Sequence, residues 1–268
     1  LLPLWLKPMG LSPCDTFKNS LIIVHGKNIE VMKRIGIYDN VDIDYFEEKG
    51  EKYLQGITAT QDQLFVIGGR YSTFRTGLAH STQMLTSDMI WKKGPELPIP
   101  LIMPVVLQAG TTIIVIERFL KNVFKIDGEH KTWEELPTPV TQRYEFGSFV
   151  INRTVYIVGG HKYIEGEEYS AHVNICEYLD LDNVEKGWVM TWGGGQEELP
   201  SLLLSTNTTL GPTFATKISD HAAIFGGLNT RKLFMFCDNK FSLVKGDDLR
   251  YDAFNMRHHK LVRWPHGI

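Results

Sequence analysis

The chain has 268 residues, 43% hydrophobic and 22% charged, with a formal net charge of −3 at pH 7. That composition sustains a packed core and excludes bulk disorder. It offers no electrostatic basis for binding nucleic acid or an anionic membrane; the strongest basic run, Arg257–Lys260, is short.

Cys14, Cys176 and Cys237 are far apart and form no CxxC. They predict neither a disulfide framework nor a zinc site, and point to a reducing, cytoplasmic location. No apolar run is long enough to span a bilayer as a helix. The opening "LLPLWLKPMG" lacks an initiating methionine and a basic leader region, so it does not read as a signal peptide and is expected to be the start of a piece cut from a longer chain. None of the nine histidines falls in HExxH or a comparable ligand spacing, so neither a metal nor a cofactor is expected. The GxSxG nucleophile elbow is absent.

Taken in chain order, the apolar segments repeat. "LWLKPMGLSP" reads as the end of an outer strand, with Trp5 in it. "SLIIVHGK" is a buried strand closing on His25-Gly26. "GITAT" (Gly56–Thr60) then leads into "LFVIGGR" (Leu64–Arg70), "STQMLTS" (Ser81–Ser87) and "IWKKGPELP" (Ile90–Pro98). The same order returns as "PVVLQ", "TTIIVIER", "NVFKID" and "TWEELP" between Pro104 and Pro137, with the glycine pair replaced by Glu117-Arg118. It returns again as "FGSFVI", "TVYIVGGH", "VNICEYLDLD" and "WVMTWGGGQEELP" between Phe146 and Pro200. The last copy runs "TFATKI", "AAIFGGLN", "KLFMFCD" and then Phe241 where tryptophan is expected. Short runs rich in valine, isoleucine and aromatics between turn residues predict strands. Four strands per repeat of roughly 40–50 residues predict the blades of a propeller. The fold class is therefore all-β, with five four-stranded blades over residues 1–268 as a single domain. The C-terminal segment from Tyr251 is a candidate for an incomplete sixth blade or a closing strand.

The glycine doublets Gly68-Gly69, Gly159-Gly160 and Gly226-Gly227, with Trp91, Trp133 and Trp188 downstream, resemble the kelch-repeat family. The resemblance covers roughly Phe17 to Arg250, and the hairpin "VFKIDGEHKTWEELP" (Val123–Pro137) is its closest stretch. A glycine pair at a crowded strand end lets the backbone turn or approach a neighbour without a Cβ clash. A phosphate loop is not expected, because strands rather than helices follow the doublets.

The resemblance implies a non-catalytic protein-interaction module that binds a protein or peptide at one mouth of the propeller. Such modules commonly serve as the substrate-recognition part of a cullin-based ubiquitin ligase adaptor, with oligomerisation supplied by a flanking BTB domain. Actin or cytoskeletal binding is an alternative, as is an enzyme of oxidase or sugar-epimerase type on the same fold. Carried over by position, the partner-binding residues are Arg70 and Tyr71, His161 and Tyr163, and Asn229 and Arg231 after the doublets. Arg143 and Tyr144 join them from the loop that links two blades. Arginine and tyrosine are favoured interface anchors, and Arg70 with Arg143 would suit an acidic peptide through bidentate carboxylate contacts.

Overall fold

The computed structural model describes residues 14–17, 20–25, 28–34, 37–42, 52–53, 55–71, 77–88, 90–127, 132–162, 171–190, 199, 203, 210, 213–227 and 232–244. They form five four-stranded antiparallel sheets in sequence order. The first is β1 (Cys14–Phe17), β2 (Ser20–His25), β3 (Asn28–Arg34) and β4 (Ile37–Asp42). Next come β5 (Lys52–Tyr53), β6 (Gly56–Ala59), β7 (Gln63–Ile67), β8 (Arg70–Tyr71), β9 (Thr82–Thr86) and β10 (Trp91–Lys93). Of these, β6, β7, β9 and β10 make the second sheet, while β5 and β8 pair separately. The third sheet is β11 (Val105–Ala109), β12 (Thr112–Ile116), β13 (Val123–Ile126) and β14 (Glu134–Leu136).

The fourth begins with β15 (Gly147–Ile151) and β16 (Thr154–Val158). A two-stranded ladder of β17 (His161–Lys162) and β18 (Ala171–His172) interrupts it before β19 (Cys176–Asp180) and β20 (Val189–Met190). The fifth is β21 (Thr213–Lys217), β22 (Ala222–Gly227), β23 (Leu233–Cys237) and β24 (Lys240–Leu243). All five sheets expected from the repeat are present. Trp5 and the segment from Tyr251, assigned to a closing blade, lie outside the described residues.

The described residues divide into two compact units. One holds residues up to Glu117 together with Phe124–Glu135; the other holds Arg118–Val123 and the residues from Leu136 onward. In the first, β6 lies beside both β1 and β11, so leading strands of successive sheets are neighbours. In the second, β15 lies beside β21 in the same way.

The second strands β7, β12 and β16 are largely apolar because both their faces are covered. Leu64, Phe65, Val66 and Ile67 are buried in β7, and every residue of β12 is buried. A strand packed on both faces loses the in–out alternation of a half-exposed one. β10 and β14, the fourth strands of the second and third sheets, are mostly exposed. Tryptophans beside fourth strands tie neighbouring repeats together: the Trp133 indole N–H donates to the Pro95 carbonyl at 3.1 Å, and Trp188 to that of Pro137 at 2.7 Å. In the last sheet Phe241 fills the equivalent space without a polar handle, packed on Phe225 and Phe236.

The doublets have two physical causes. Gly68 and Gly69 (φ 67° and 103°) and Gly159 and Gly160 (φ 66° and 98°) turn the chain through the left-handed region. A Cβ on Gly160 would lie 2.7 Å from the Tyr144 carbonyl oxygen. Gly226 and Gly227 instead stay inside β22, and there the need is close approach, to the Phe214 ring and the Leu210 backbone.

Candidate binding rim

β16 ends at Val158, the glycine pair turns the chain, and His161 starts the short ladder in which it faces His172. Tyr144, from the loop before β15, holds His161 by reciprocal main-chain hydrogen bonds of 2.9 Å each. The same pairing recurs in the other unit, where Tyr53 stands opposite Arg70. The rim is thus a repeated backbone device, and the side chains hung on it differ from repeat to repeat.

Glu145 follows Tyr144 with φ 54°, and Met103 has φ 51° at the same place in the preceding repeat. The repeat requires a left-handed residue there, and in this copy that residue carries a carboxylate. Its Oε2 lies 3.6 Å from His161 Nδ1 and its Oε1 4.0 Å from Arg118 Nη2. Arg118 and Phe119 occupy the positions of Gly160 and His161 in the next repeat. No left-handed φ is present at Glu117 or Arg118, so side chains are admitted where the other turns need glycine. The Arg118 guanidinium sits 5.5 Å over the Phe119 ring. A row of rings runs from Phe119 to Tyr144 (6.0 Å), Tyr144 to His161 (5.7 Å, edge-on) and His161 to His172 (5.0 Å, stacked).

This cluster is only partly withdrawn from solvent; Phe119 is 45% exposed and the Arg118 side chain 29%. The Arg118–Glu145 contact, at 4.0 Å and partly solvated, contributes roughly 0–1 kcal/mol. The Glu145 and His161 side chains are more enclosed, each 15% exposed. Arginine and aromatic side chains in one exposed patch are the composition that protein interfaces favour. His161 Nε2 is buried. Among the described residues no group of three His, Cys, Asp or Glu side chains is arranged to hold a metal.

Of the residues carried over by position, Tyr144 and His161 meet here. Arg143 does not. It is 2% exposed, its Nη2 lies 3.4 Å from Glu177 Oε1, and it donates to the Ile157 carbonyl at 3.3 Å. Burial pushes its guanidinium pKa down, and the Glu177 carboxylate and Cys176 oppose that shift. Alternation explains the error: adjacent residues of an extended segment point to opposite sides, so Tyr144 on the rim places Arg143 in the interior. Tyr71 is likewise buried rather than presented, at 5% exposure, beside a half-buried Arg70. Tyr163, Asn229 and Arg231 lie outside the described residues. Arg118, Phe119, Glu145 and His172 were not anticipated. The available signal was the Glu117-Arg118 pair, which looked like decay of a repeat and is where side chains enter the rim.

No family model matches the chain, and no curated protein matches it by sequence. Among solved structures it is similar to that of YjhT, at a TM-score of 0.58 and 12% sequence identity, over 84% of this chain and 74% of that one. The two share a fold.

Proposed function

We propose that the chain is a kelch-type β-propeller acting as a non-catalytic protein-interaction module in the cytoplasm. The rim of Arg118, Phe119, Tyr144, Glu145 and His161 would be its partner-binding site. The carrying observation is that this repeat replaces its glycine pair with an arginine and is followed by an exposed phenylalanine, both beside the Tyr144–His161 bridge. Five four-stranded sheets, doublets at repeat spacing and the fold shared with YjhT support the propeller. The partner is a protein or peptide, and the role of substrate recognition in a cullin-based ligase rests on the kelch resemblance. No helix among the described residues is long and apolar enough to cross a membrane.

The test is affinity capture from cell lysate, read by mass spectrometry, with wild-type protein beside an Arg118→Ala, Phe119→Ala variant whose fold is checked by circular dichroism. A partner bound by the wild type and lost by the variant is the expected result. A partner kept by both would move the site elsewhere, and no partner at all would remove the interaction reading.

A further inference from the structure

We propose that the rim reads a basic side chain of its partner: a lysine or arginine that lies against the Phe119 ring with Glu145 as its counter-charge. This rests on the interaction reading and names the partner chemistry of the same site. The sign follows from which charge the loop before β15 brings to the rim. Arg143, expected to meet an acidic peptide, is turned inward onto Glu177 at 3.4 Å. Glu145 faces the rim instead. Its largely enclosed carboxylate lies 4.0 Å from Arg118 and 3.6 Å from His161, and neither approach is a hydrogen bond. Arg118 has a further interaction besides this one. An enclosed carboxylate without a hydrogen bond is costly. An ammonium or guanidinium group supplies it with opposite charge and donors together.

The backbone points to the same place. Glu145 (φ 54°) and Leu120 (φ 59°) both hold left-handed dihedrals uncommon outside glycine, asparagine and aspartate. Leu120 is fully buried, while its neighbour Phe119 stands exposed. The turn thus anchors one apolar side chain in the core and presents the next. Met103 takes the place of Glu145 in the preceding repeat, so the left-handed turn itself demands no carboxylate. Backbone strain of this kind clusters at ligand-holding sites. The Phe119 and Tyr144 rings lie 6.0 Å apart at 57°, and the Arg118 guanidinium sits 5.5 Å over Phe119. The ring therefore already accepts a cation. A second cation, from the partner, would leave Glu145 between two positive groups, one of its own chain and one of the ligand.

The probe is a phage-displayed library of random heptapeptides selected on the immobilised chain, with the Kd of enriched peptides measured by fluorescence anisotropy. The expected result is a family of sequences that share one lysine or arginine. Replacing that peptide residue by alanine should weaken binding at least roughly tenfold, and so should Glu145→Gln in the protein. The two changes together should weaken it little more than either alone. Glu145→Lys should regain binding to the peptide whose basic residue has been exchanged for glutamate. The peptide-side change reads the charge preference on the unaltered protein, and circular dichroism checks that each variant is folded. Enriched peptides that share an acidic residue, or no charged one, would overturn the proposal and leave the interaction reading standing. So would basic peptides bound equally by wild type and Glu145→Gln. No enriched sequence at all would overturn both.

Discussion

Glu177 lies wholly buried on β19 and faces Arg143 across 3.4 Å, while its two carboxylate oxygens also accept the main-chain N–H groups of Val140 and Thr141 at 2.8 and 3.2 Å. One side chain thus fixes both the loop and the arginine that precede Tyr144 and Glu145. The repeat offers a comparison. The pairs Val105–Ile116 and Gly147–Val158 align the first two strands of the third and fourth sheets and put Leu101 in the place of Arg143; Thr112 bonds Asp127 where Thr154 faces Asp180, which puts Phe124 in the place of Glu177. Both are buried in one apolar cluster. Nature has therefore solved the same position with an ion pair and with two hydrocarbons.

Removing one partner of a buried pair leaves an uncompensated charge, at a cost of about 3–5 kcal/mol. Glu177→Ala and Arg143→Ala should each lower the unfolding free energy obtained from urea melts by that amount. The double change Arg143→Leu, Glu177→Phe, which copies the preceding repeat, should recover more than half of the loss. A double variant as unstable as either single one would show that the pair specifies the loop in a way hydrocarbons cannot.

Two left-handed glycines separate backbone strain from crowding. Gly110 (φ 66°) has nothing within 4 Å of a built Cβ, whereas Gly160 (φ 98°) has the Tyr144 carbonyl at 2.7 Å and Phe146 Cβ at 3.2 Å. Gly110→Ala should cost about 1 kcal/mol, from conformation alone. Gly160→Ala should cost about 3 kcal/mol or more, because a sparsely allowed conformation and a main-chain clash add. Denaturant melts of the two variants check the order, and equal losses would mean the rim backbone yields freely.

These contrasts also show what the sequence made legible. The strands were readable because packing on both faces turned β7, β12 and β16 into unbroken apolar runs, each bounded by turn residues. The doublets marked the turns, though not that Gly226-Gly227 would serve close approach rather than a left-handed bend. The site was readable only in part. Tyr144 and His161 follow from their place in the repeat, but the interior direction of Arg143 depends on a single-residue alternation in a loop. Glu145 and His172 enter through contacts between segments far apart in sequence, which no local pattern carries.

Trp188 joins two repeats through one polar and one apolar contribution. Its ring is 6% exposed, and its N–H reaches the Pro137 carbonyl at 2.7 Å. Trp188→Phe keeps most of the packing and loses the hydrogen bond, an expected cost of about 1–2 kcal/mol. Trp188→Ala should cost about 3–5 kcal/mol through the cavity left behind. If thermal melts gave the two variants the same loss, the carbonyl contact rather than the ring would be what holds the repeats together.

Alkaline stability should turn on Tyr156. Burial pushes its phenol pKa up from 10.0 to about 12, with Cys176, Tyr178 and Asp180 adding to the rise and the Thr154 hydroxyl opposing it. The folded value is raised, so its contribution is full below pH 10, where the unfolded phenol is still protonated. Above that the unfolded chain releases a proton that the folded chain keeps, and stability falls until the folded phenol ionises near pH 12. Tyr156→Phe retains the stack on Phe149, whose ring is 5.0 Å away at 13°. The variant should therefore match the wild type at neutral pH, to within about 1 kcal/mol for the lost hydroxyl bond, and lose less stability on going alkaline. Urea midpoints measured from neutral pH up to that range, with phenolate absorbance recorded in parallel, decide it. Identical pH slopes for the two proteins would assign the alkaline loss to another group.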